Sequence, residues 1–319
     1  MEQSRLKTKI LITGAAGYVG KNLVLFLKKN KKFQLKLIDY KNKPKINFFK
    51  KLDYIKHDLN TNLKKKLIEI NPDIIIHLAA LTSVTESEKF KKKYYKNNFI
   101  VTKNICNYCK QFNKKIIFAS SAGVYRSKNI SIKEDDIKQP KNYYGKTKLL
   151  SEKIISNQLN SKSSYIILRF FNIGGGDKKN KLIFSKNNYP VFKMITNIIK
   201  NKSKFFIFGK NPKNNKTAIR DYIHVFDVVT IIKYSLNHLI KEKKNLILNC
   251  CTGLPTTIIQ LIKMFEKVSK KKINYEIVDK RKGEDFVFFG SNQKLNKIFN
   301  FKPKYSLKNI VKDTYESIN

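Results

Sequence analysis

The sequence predicts an α/β protein built on a doubly wound parallel sheet with a smaller C-terminal substrate lobe, and three observations carry that expectation. Short β-branched runs alternate with stretches of helical periodicity through the first half of the chain. A glycine-rich turn, Gly14-Ala15-Ala16-Gly17-Tyr18-Val19-Gly20, joins the first such run to the first helical stretch. The length, 319 residues with 41% hydrophobic content, is enough for about two domains at roughly 150 residues each.

In chain order, strands are expected at 9–13, 34–39, 53–56, 73–77, 115–120 and 164–169. Helices are expected between them at 18–29, 63–70, 86–111 and 143–159. Right-handed crossovers would wind these units on both sides of one sheet. After Asn172 the texture changes: Gly174-Gly175-Gly176 opens an irregular stretch, 211–216 is another, and strand signals thin out. The expected division is therefore a dinucleotide-binding domain over 1–172 and a smaller lobe over 173–319, interleaved with it.

The formal net charge of +44 raises nucleic acid or an anionic membrane as a partner. Its makeup argues otherwise. Only Arg5, Arg126, Arg169, Arg220 and Arg281 are arginines among 67 basic residues, and lysine runs recur along the whole chain between apolar stretches, as solvated faces do. No specific nucleic acid and no membrane partner is expected. No apolar run approaches the ~18 residues of a spanning helix, and the first five residues lack a signal peptide's apolar core, so a cytoplasmic protein is expected. Cys106 and Cys109 form a C-x-x-C inside a helical stretch, and Cys250-Cys251 lacks zinc-ligand spacing, so no metal is expected.

In the glycine turn, Gly14 permits the tight bend, Gly17 lets backbone approach a pyrophosphate, and Gly20 allows close helix-to-strand packing at a helix N-terminus that attracts anions. This is the Rossmann-type arrangement. Asp39 ends the second strand, where a carboxylate accepts hydrogen bonds from an adenosine ribose and repels a 2′-phosphate, which favours NAD. Lys41 and Lys43 beside it leave NADP open.

Tyr144 and Lys148 lie four apart at the start of a helix and share a face. A tyrosine at its reference pKa of about 10 is a poor base. A neighbouring ammonium and a nicotinamide cation would both lower that value and make the phenol useful near neutrality. Ser120-Ser121 ends the preceding strand, at the edge where open α/β sheets place their chemistry, and a hydroxyl there could bridge a substrate oxygen and the phenolate.

Together with His77-Leu78-Ala79-Ala80, Tyr94 to Asn98, Ser120 to Tyr125, Arg169-Phe170-Phe171-Asn172 and Arg220-Asp221-Tyr222-Ile223-His224-Val225, these motifs run in order over nearly the whole chain. The chain resembles the extended short-chain dehydrogenase/reductases, most closely their UDP-glucose 4-epimerase branch. The resemblance implies an isomerase with Tyr144 as acid/base, Lys148 orienting the nicotinamide ribose and tuning Tyr144, and Ser121 hydrogen-bonding the sugar hydroxyl. It places Asp58 against adenine, Asn97 in the cofactor site, and Tyr18, Val19, Leu59, Leu78, Ala79, Ala80 and Phe171 around NAD. A UDP-sugar would be held by Asn172, Phe208, Arg220, Arg281, Glu284 and Phe288. The implied reaction interconverts UDP-glucose and UDP-galactose at C4 through a transient 4-keto sugar that turns over before the hydride returns. A homodimer through 86–111 and 143–159 is also implied.

The arginine scarcity supports this physically, because an arginine persists where a planar bidentate donor matters, as for phosphate. The departures are Thr82 at a frequent cofactor-contacting lysine, Arg126 at the glycine of Val-Tyr-Gly, and Lys216 at a loop glycine. Phe288 falls where the branch controls room for an N-acetyl group. A UDP-glucuronate 4-epimerase or another nucleotide-sugar epimerase or dehydratase is the alternative, although Ala122-Gly123 cannot supply a dehydratase's extra acid/base groups. A non-catalytic polyanion-binding protein is the remote one, and it has no need of Tyr144. His77 and His224 are expected to be hydrogen-bonded structural residues, while His57 and His238 have no partner that sequence reveals.

Overall fold

A computed structural model describes residues 7–177, 179–180, 182, 190–201, 203–208, 217–242, 244–279 and 286–318. Its elements are β1 (Thr8–Thr13), α1 (Tyr18–Leu27), β2 (Phe33–Asp39), β3 (Asp53–Lys56), α2 (Leu63–Ile70), β4 (Ile74–His77), α3 (Val84–Lys89), α4 (Lys91–Tyr94), a π-helical turn (Tyr95–Ile100), α5 (Val101–Gln111), β5 (Lys115–Ser121), α6 (Tyr143–Gln158), β6 (Tyr165–Phe170), β7 (Asn172–Gly174), α7 (Pro190–Asn201), β8 (Phe205–Phe208), β9 (Ile219–Arg220), β10 (Tyr222–His224), α8 (Val225–Lys241), β11 (Leu246–Cys250), β12 (Thr256–Thr257), α9 (Ile258–Ser269), β13 (Tyr275–Val278), β14 (Val287–Phe288), α10 (Gln293–Phe299) and α11 (Leu307–Ile318).

The chain divides into two compact units that interleave in sequence: 1–124 with 142–168 and 229–247, and 125–141 with 169–228 and 248–319. The chain passes from one unit to the other inside β6, α8 and β11.

The first unit is built on a seven-stranded sheet in the order β11-β6-β5-β4-β1-β2-β3, with β3, β2, β1, β4 and β5 running parallel. The strand order reverses between β1 and β4, and ligands bind such sheets in the crevice at that switch point. The expected doubly wound sheet is the one formed. Strands such as Ile74-Ile75-Ile76-His77 are buried along their whole length because helices cover both faces. On one face Leu11, Ile38, Ile75 and Ile116 pack with Leu67 of α2, Ile105 of α5 and Ile155 of α6. Each such side chain contributes about 1.5–3 kcal/mol by leaving water.

The single helix expected over 86–111 is not continuous. Phe90 leaves the helical region (φ −119°, ψ 53°), and a π-helical turn intervenes before α5. Such turns are frequent at functional sites, and this one carries Asn97 and Asn98.

In the second unit β8 pairs with β13, β7 pairs with β10, and β9 lies between β12 and β14. A capping box of Thr257 and Gln260 starts α9. Asp227, in the first turn of α8, accepts from the Lys304 and Tyr305 amides. Among the described residues no helix is long and apolar enough to cross a membrane.

Candidate active site

The glycine turn forms where β1 ends beside β2 and β4. Gly14 has φ +71°, its amide donates to the Ile38 carbonyl, and a Cβ on it would stand 2.7 Å from the Ala79 amide nitrogen. Only glycine satisfies both constraints. At Gly20 a Cβ would meet the Gly14 carbonyl oxygen at 2.2 Å, so α1 can approach its own entry turn only there. The helix begins after Gly17, which carries no side chain to cap it, and no acidic residue occupies its first turn. An anion is the natural complement of such an end.

Asp39 is buried at the carboxyl end of β2, its oxygens accepting from the amides of Ala16 (3.0 Å) and Lys41 (3.1 Å). The carboxylate is thereby fixed against the glycine turn. Lys43 donates to the Lys50 and Leu52 carbonyls, and the Lys41 ammonium lies over the Tyr40 ring. After β3, Asp58 accepts from both the amide and the side chain of Asn60, which hold its carboxyl below the usual range. Asn60 Nδ2 also donates to Asn97 Oδ1 at 2.9 Å, while the buried Asn60 Oδ1 has no partner. Asp58 and Asn97 are thus joined through Asn60, the neighbouring Leu59 packs into the core, and Leu78 and Ala79, just beyond β4 and followed by Ala80, stand against Gly14.

The first amides of α6 are satisfied from outside the helix. Tyr143 donates to the Glu88 carboxylate, Tyr144 to the Ser87 hydroxyl and Gly145 to the Asn142 side chain. These bonds fix the orientation of the half-buried Tyr144, whose phenol is hydrogen-bonded to Ser121. Lys148, only 3% exposed, donates from Nζ to the Ala119 carbonyl (2.7 Å) and stands 4.8 Å over the Phe118 ring. One turn further, Ser120 Oγ donates to the buried Glu152 carboxylate.

The electrostatics correct one expectation. Burial pushes the Tyr144 phenol up to about 12, with the Ser121 hydrogen bond the opposing influence, while burial pulls the Lys148 ammonium down to about 7 against the upward influence of Glu152. In the polypeptide alone desolvation therefore sets the phenol's direction, and the lysine is not among the influences on it. A lowered phenol has to come from positive charge brought by a bound group.

Behind the trio runs a buried polar network. Asn98 exchanges hydrogen bonds with the Leu81 backbone and donates to Thr147 Oγ1, which in turn donates to the Tyr144 carbonyl. His77 sits fully buried between Thr13 and Thr102, and burial holds its ring down to about 3, so it is neutral.

In the second unit, β9 and β14 pair Arg220 with Phe288, and Phe288 stacks obliquely on Phe171 with ring centroids 5.9 Å apart. Asn172 donates its side-chain amide to the Asp221 carbonyl, and Arg220 Nη1 donates to the Ile219 carbonyl. Phe208 ends β8 in a different two-stranded sheet. Asp221 is buried beneath this group, its carboxyl pushed up to about 6 by burial against hydrogen bonds from Thr252 and Gly253. His224 is buried between Asp313, the Phe226 amide and the Tyr305 ring. Arg281, Glu284 and Lys216 lie outside the described residues.

Residues 10–251 match the model of the NAD dependent epimerase/dehydratase family. The UDP-glucose 4-epimerase of Mycoplasma genitalium is 32% identical, with 96% of this chain and 95% of the relative covered. The chain belongs to this family. Among solved structures, a UDP-glucose 4-epimerase from Bifidobacterium longum in complex with NAD+ and UDP matches with a TM-score of 0.86 and 25% identity, covering 97% of this chain and 98% of that one. A UDP-glucuronic acid 4-epimerase from Bacillus cereus, in complex with UDP-glucuronic acid and NAD, matches with a TM-score of 0.82 and 26% identity over the same shares.

For this epimerase/dehydratase family member, sequence reading singled out the residues at the sheet edge but passed over those that hold them. Thr147 and Glu152 went unremarked, and Asn98 entered only as the end of the Tyr94 to Asn98 motif with no role given, because each is a polar residue on a helix, where exposure is the usual expectation. One signal was present for Glu152: it continues the four-residue spacing of Tyr144 and Lys148.

Proposed function

We propose that this chain is an NAD-dependent UDP-glucose 4-epimerase, an isomerase interconverting UDP-glucose and UDP-galactose. The observation that carries this reading is the Ser121–Tyr144 hydrogen bond, with Lys148 one helical turn on, at the same sheet edge as the Gly14 turn and Asp39. Family membership and the 32% identical relative support it.

The first unit's residues fit NAD. The turn at Gly14, Gly17 and Gly20, with Tyr18 and Val19 behind it, would cradle the pyrophosphate. Asp39 would take the adenosine ribose hydroxyls, and the Asp58–Asn60–Asn97 cluster, with its unpartnered oxygen, would meet the adenine end. The carboxylate of Asp39 and the engagement of Lys43 with backbone carbonyls favour NAD over its 2′-phosphorylated form. When bound, NAD supplies the acceptor for the C4 hydride and returns it.

The chain's own residues manage the proton. Tyr144 removes it from the C4 hydroxyl and gives it back, Ser121 holds the same hydroxyl, and Lys148 binds the nicotinamide ribose and adds positive charge near the phenol. Asn172, Phe208, Arg220, Arg281 and Glu284 are assigned to the UDP-sugar, with Phe171 on the cofactor side and Phe288 limiting room at the sugar. The ring of Phe288 disfavours N-acetylated sugars. Exposed apolar side chains on the 86–111 and 143–159 segments, Phe90, Tyr95 and Leu150, support a homodimer, and four unbridged buried cysteines suit a cytoplasmic setting.

Product analysis tests the reading. Purified protein given NAD and UDP-galactose is expected to yield UDP-glucose, with UDP-glucuronate and UDP-N-acetylglucosamine turned over far more slowly. Faster conversion of UDP-glucuronate, or no conversion of any UDP-sugar, overturns it.

A further inference from the structure

Three consecutive residues at the end of β5 engage three residues of α6 that are spaced one helical turn apart. The Ala119 carbonyl accepts from Lys148, the Ser120 hydroxyl donates to Glu152 Oε1 at 2.5 Å, and the Ser121 hydroxyl bonds Tyr144. Tyr144 and Lys148 have roles in the proposed reaction. Glu152 has none, yet it is buried as deeply as Lys148. Its carboxylate is on a residue 3% exposed, and a buried carboxylate is tolerated only when hydrogen bonds and an opposite charge compensate its lost hydration.

We propose that Glu152 is a positioning residue of this site: its buried carboxylate, held by the Ser120 hydroxyl one helical turn from Lys148, keeps charged the ammonium that the Ala119 carbonyl holds beside the end of β5. It acts on the reaction only through Lys148. The inference rests on the epimerase reading above, which gives Lys148 its task.

The surroundings leave Glu152 as the compensating charge. From β4 the titratable group is His77, which is neutral; from β5 come the Phe118 ring and the Ala119 carbonyl. The π-helical turn and α5 bring Asn98 and Thr102, which carry no charge. Glu88 of α3 and Lys91 of α4 sit at the first residue of α6, against Tyr143, more than a turn before Lys148. Tyr144, on the same helix, is protonated in the polypeptide alone. Burial works against the Lys148 charge and Glu152 works for it. A glutamine at 152 would keep an oxygen for the Ser120 hydroxyl but remove the charge, which separates a packing role from an electrostatic one.

The test compares wild type, Glu152→Gln and Ser120→Ala in two readouts. In turnover of UDP-galactose across pH, Glu152→Gln is expected to move the alkaline limb of kcat down by about one pH unit or more, with KM within about threefold, because a less supported ammonium loses its proton earlier. Ser120→Ala, which keeps the charge but frees the carboxylate, is expected to shift the limb the same way by less. In thermal unfolding of the cofactor-free chain, a cycle of Glu152→Gln with Lys148→Met is expected to be non-additive at pH 6, where Lys148 is charged, and additive at pH 9.5. An unmoved limb, or additivity at pH 6, overturns the proposal. A wild type that epimerises nothing defeats the epimerase reading instead, and the unfolding cycle still decides the role of Glu152.

Discussion

The Thr13 hydroxyl donates to Nδ1 of His77 across 2.8 Å, and this bond fixes the tautomer of the ring. Thr13 Oγ1 also accepts from the Ala79 amide, which leaves its one proton available for His77. On the other side Thr102 spends its proton on the Asn98 carbonyl, so its oxygen accepts from Nε2–H of His77. One direction of donation runs from the residues under the glycine turn to the π-helical turn, and it requires an uncharged imidazole.

A pH dependence follows. His77 has an ordinary pKa of 6.5 in the unfolded chain and is held down to about 3 by burial in the folded one. Between these values the unfolded chain binds more protons, so stability is full above pH 6.5 and is lost as pH falls towards 3. The loss from this one group is at most on the order of 5 kcal/mol. A His77→Gln variant cannot titrate there. In urea denaturation it is expected to be about 1–3 kcal/mol less stable than wild type at pH 7, with the gap closing as pH falls to 4. A gap that stays constant over that range refutes the neutral histidine.

Tyr144→Phe removes the proposed proton carrier and leaves the ring. Epimerisation is expected to fall by about 10²- to 10⁴-fold, with the melting temperature little changed, since the amides that start α6 are satisfied by Glu88, Ser87 and Asn142 rather than by the phenol. Undiminished turnover by this variant removes the catalytic assignment.

Much of this was legible in the sequence because the signals were local. The expected strands 73–77 and 9–13 differ from β4 and β1 by one residue each, since continuous Ile and Leu runs between turn residues have one stable solution in a parallel sheet. Gly14 stood out because it follows β1, Asp39 and Ser121 because they end strands, Tyr144 because it lies in the first turn of α6, and Lys148 by its four-residue spacing from Tyr144. The break at Phe90 and the π-helical turn were not legible, because their cause is tertiary: Asn98 is drawn inward by Leu81 and Thr147, neither of which is near it in sequence. In the second unit β9, β12 and β14 have two residues each, too few to show any alternation. The buried face of α6 was missed for the opposite reason. It consists of Gly145, Thr147, Lys148, Ser151, Glu152 and Ile155, a mostly polar set that reads as a solvent face.

Gly20→Ala probes the closeness of α1 to its entry turn. The new methyl would meet the Gly14 carbonyl at 2.2 Å and Ala15 Cα at 2.9 Å, both backbone atoms that cannot swing aside. The helix has to back away, taking the proposed pyrophosphate site with it. NAD affinity measured by calorimetry is expected to fall at least tenfold, about 1.4 kcal/mol, more than any loss of UDP affinity. Unchanged NAD affinity would show that the turn does not hold the cofactor.

Cys106, Cys109, Cys250 and Cys251 are all buried, and burial raises each thiol, Cys106 to about 12. Thiolate is the reactive form, so none is expected to react with a thiol reagent in the native protein at pH 8, and all four should react in denaturant. Rapid native labelling at any one of them contradicts this packing.

Arg169 is the arginine whose task is settled by geometry rather than by phosphate. It is 2% exposed, its Nη1 donates to the Tyr125 hydroxyl (2.6 Å) and the Glu134 carbonyl (2.8 Å), and its guanidinium carbon lies 4.7 Å over the Tyr125 ring. Tyr125 passes its own proton to Asn249 Oδ1, Asn249 Nδ2 donates to the Ile132 carbonyl, and the Asn249 amide donates to Glu134. One planar cation thus ties 125–134 to β11 within the second unit. A lysine keeps the charge but has neither the fork nor the flat face, so Arg169→Lys leaves the Tyr125 hydroxyl or the Glu134 carbonyl without its donor. The expected cost is about 1–3 kcal/mol in urea denaturation. Because Asn249 depends on the same network, Arg169→Lys and Asn249→Ala should cost less together than the sum of their separate effects. Strict additivity, or an Arg169→Lys chain as stable as wild type, would mean that the guanidinium plane is not what holds this segment.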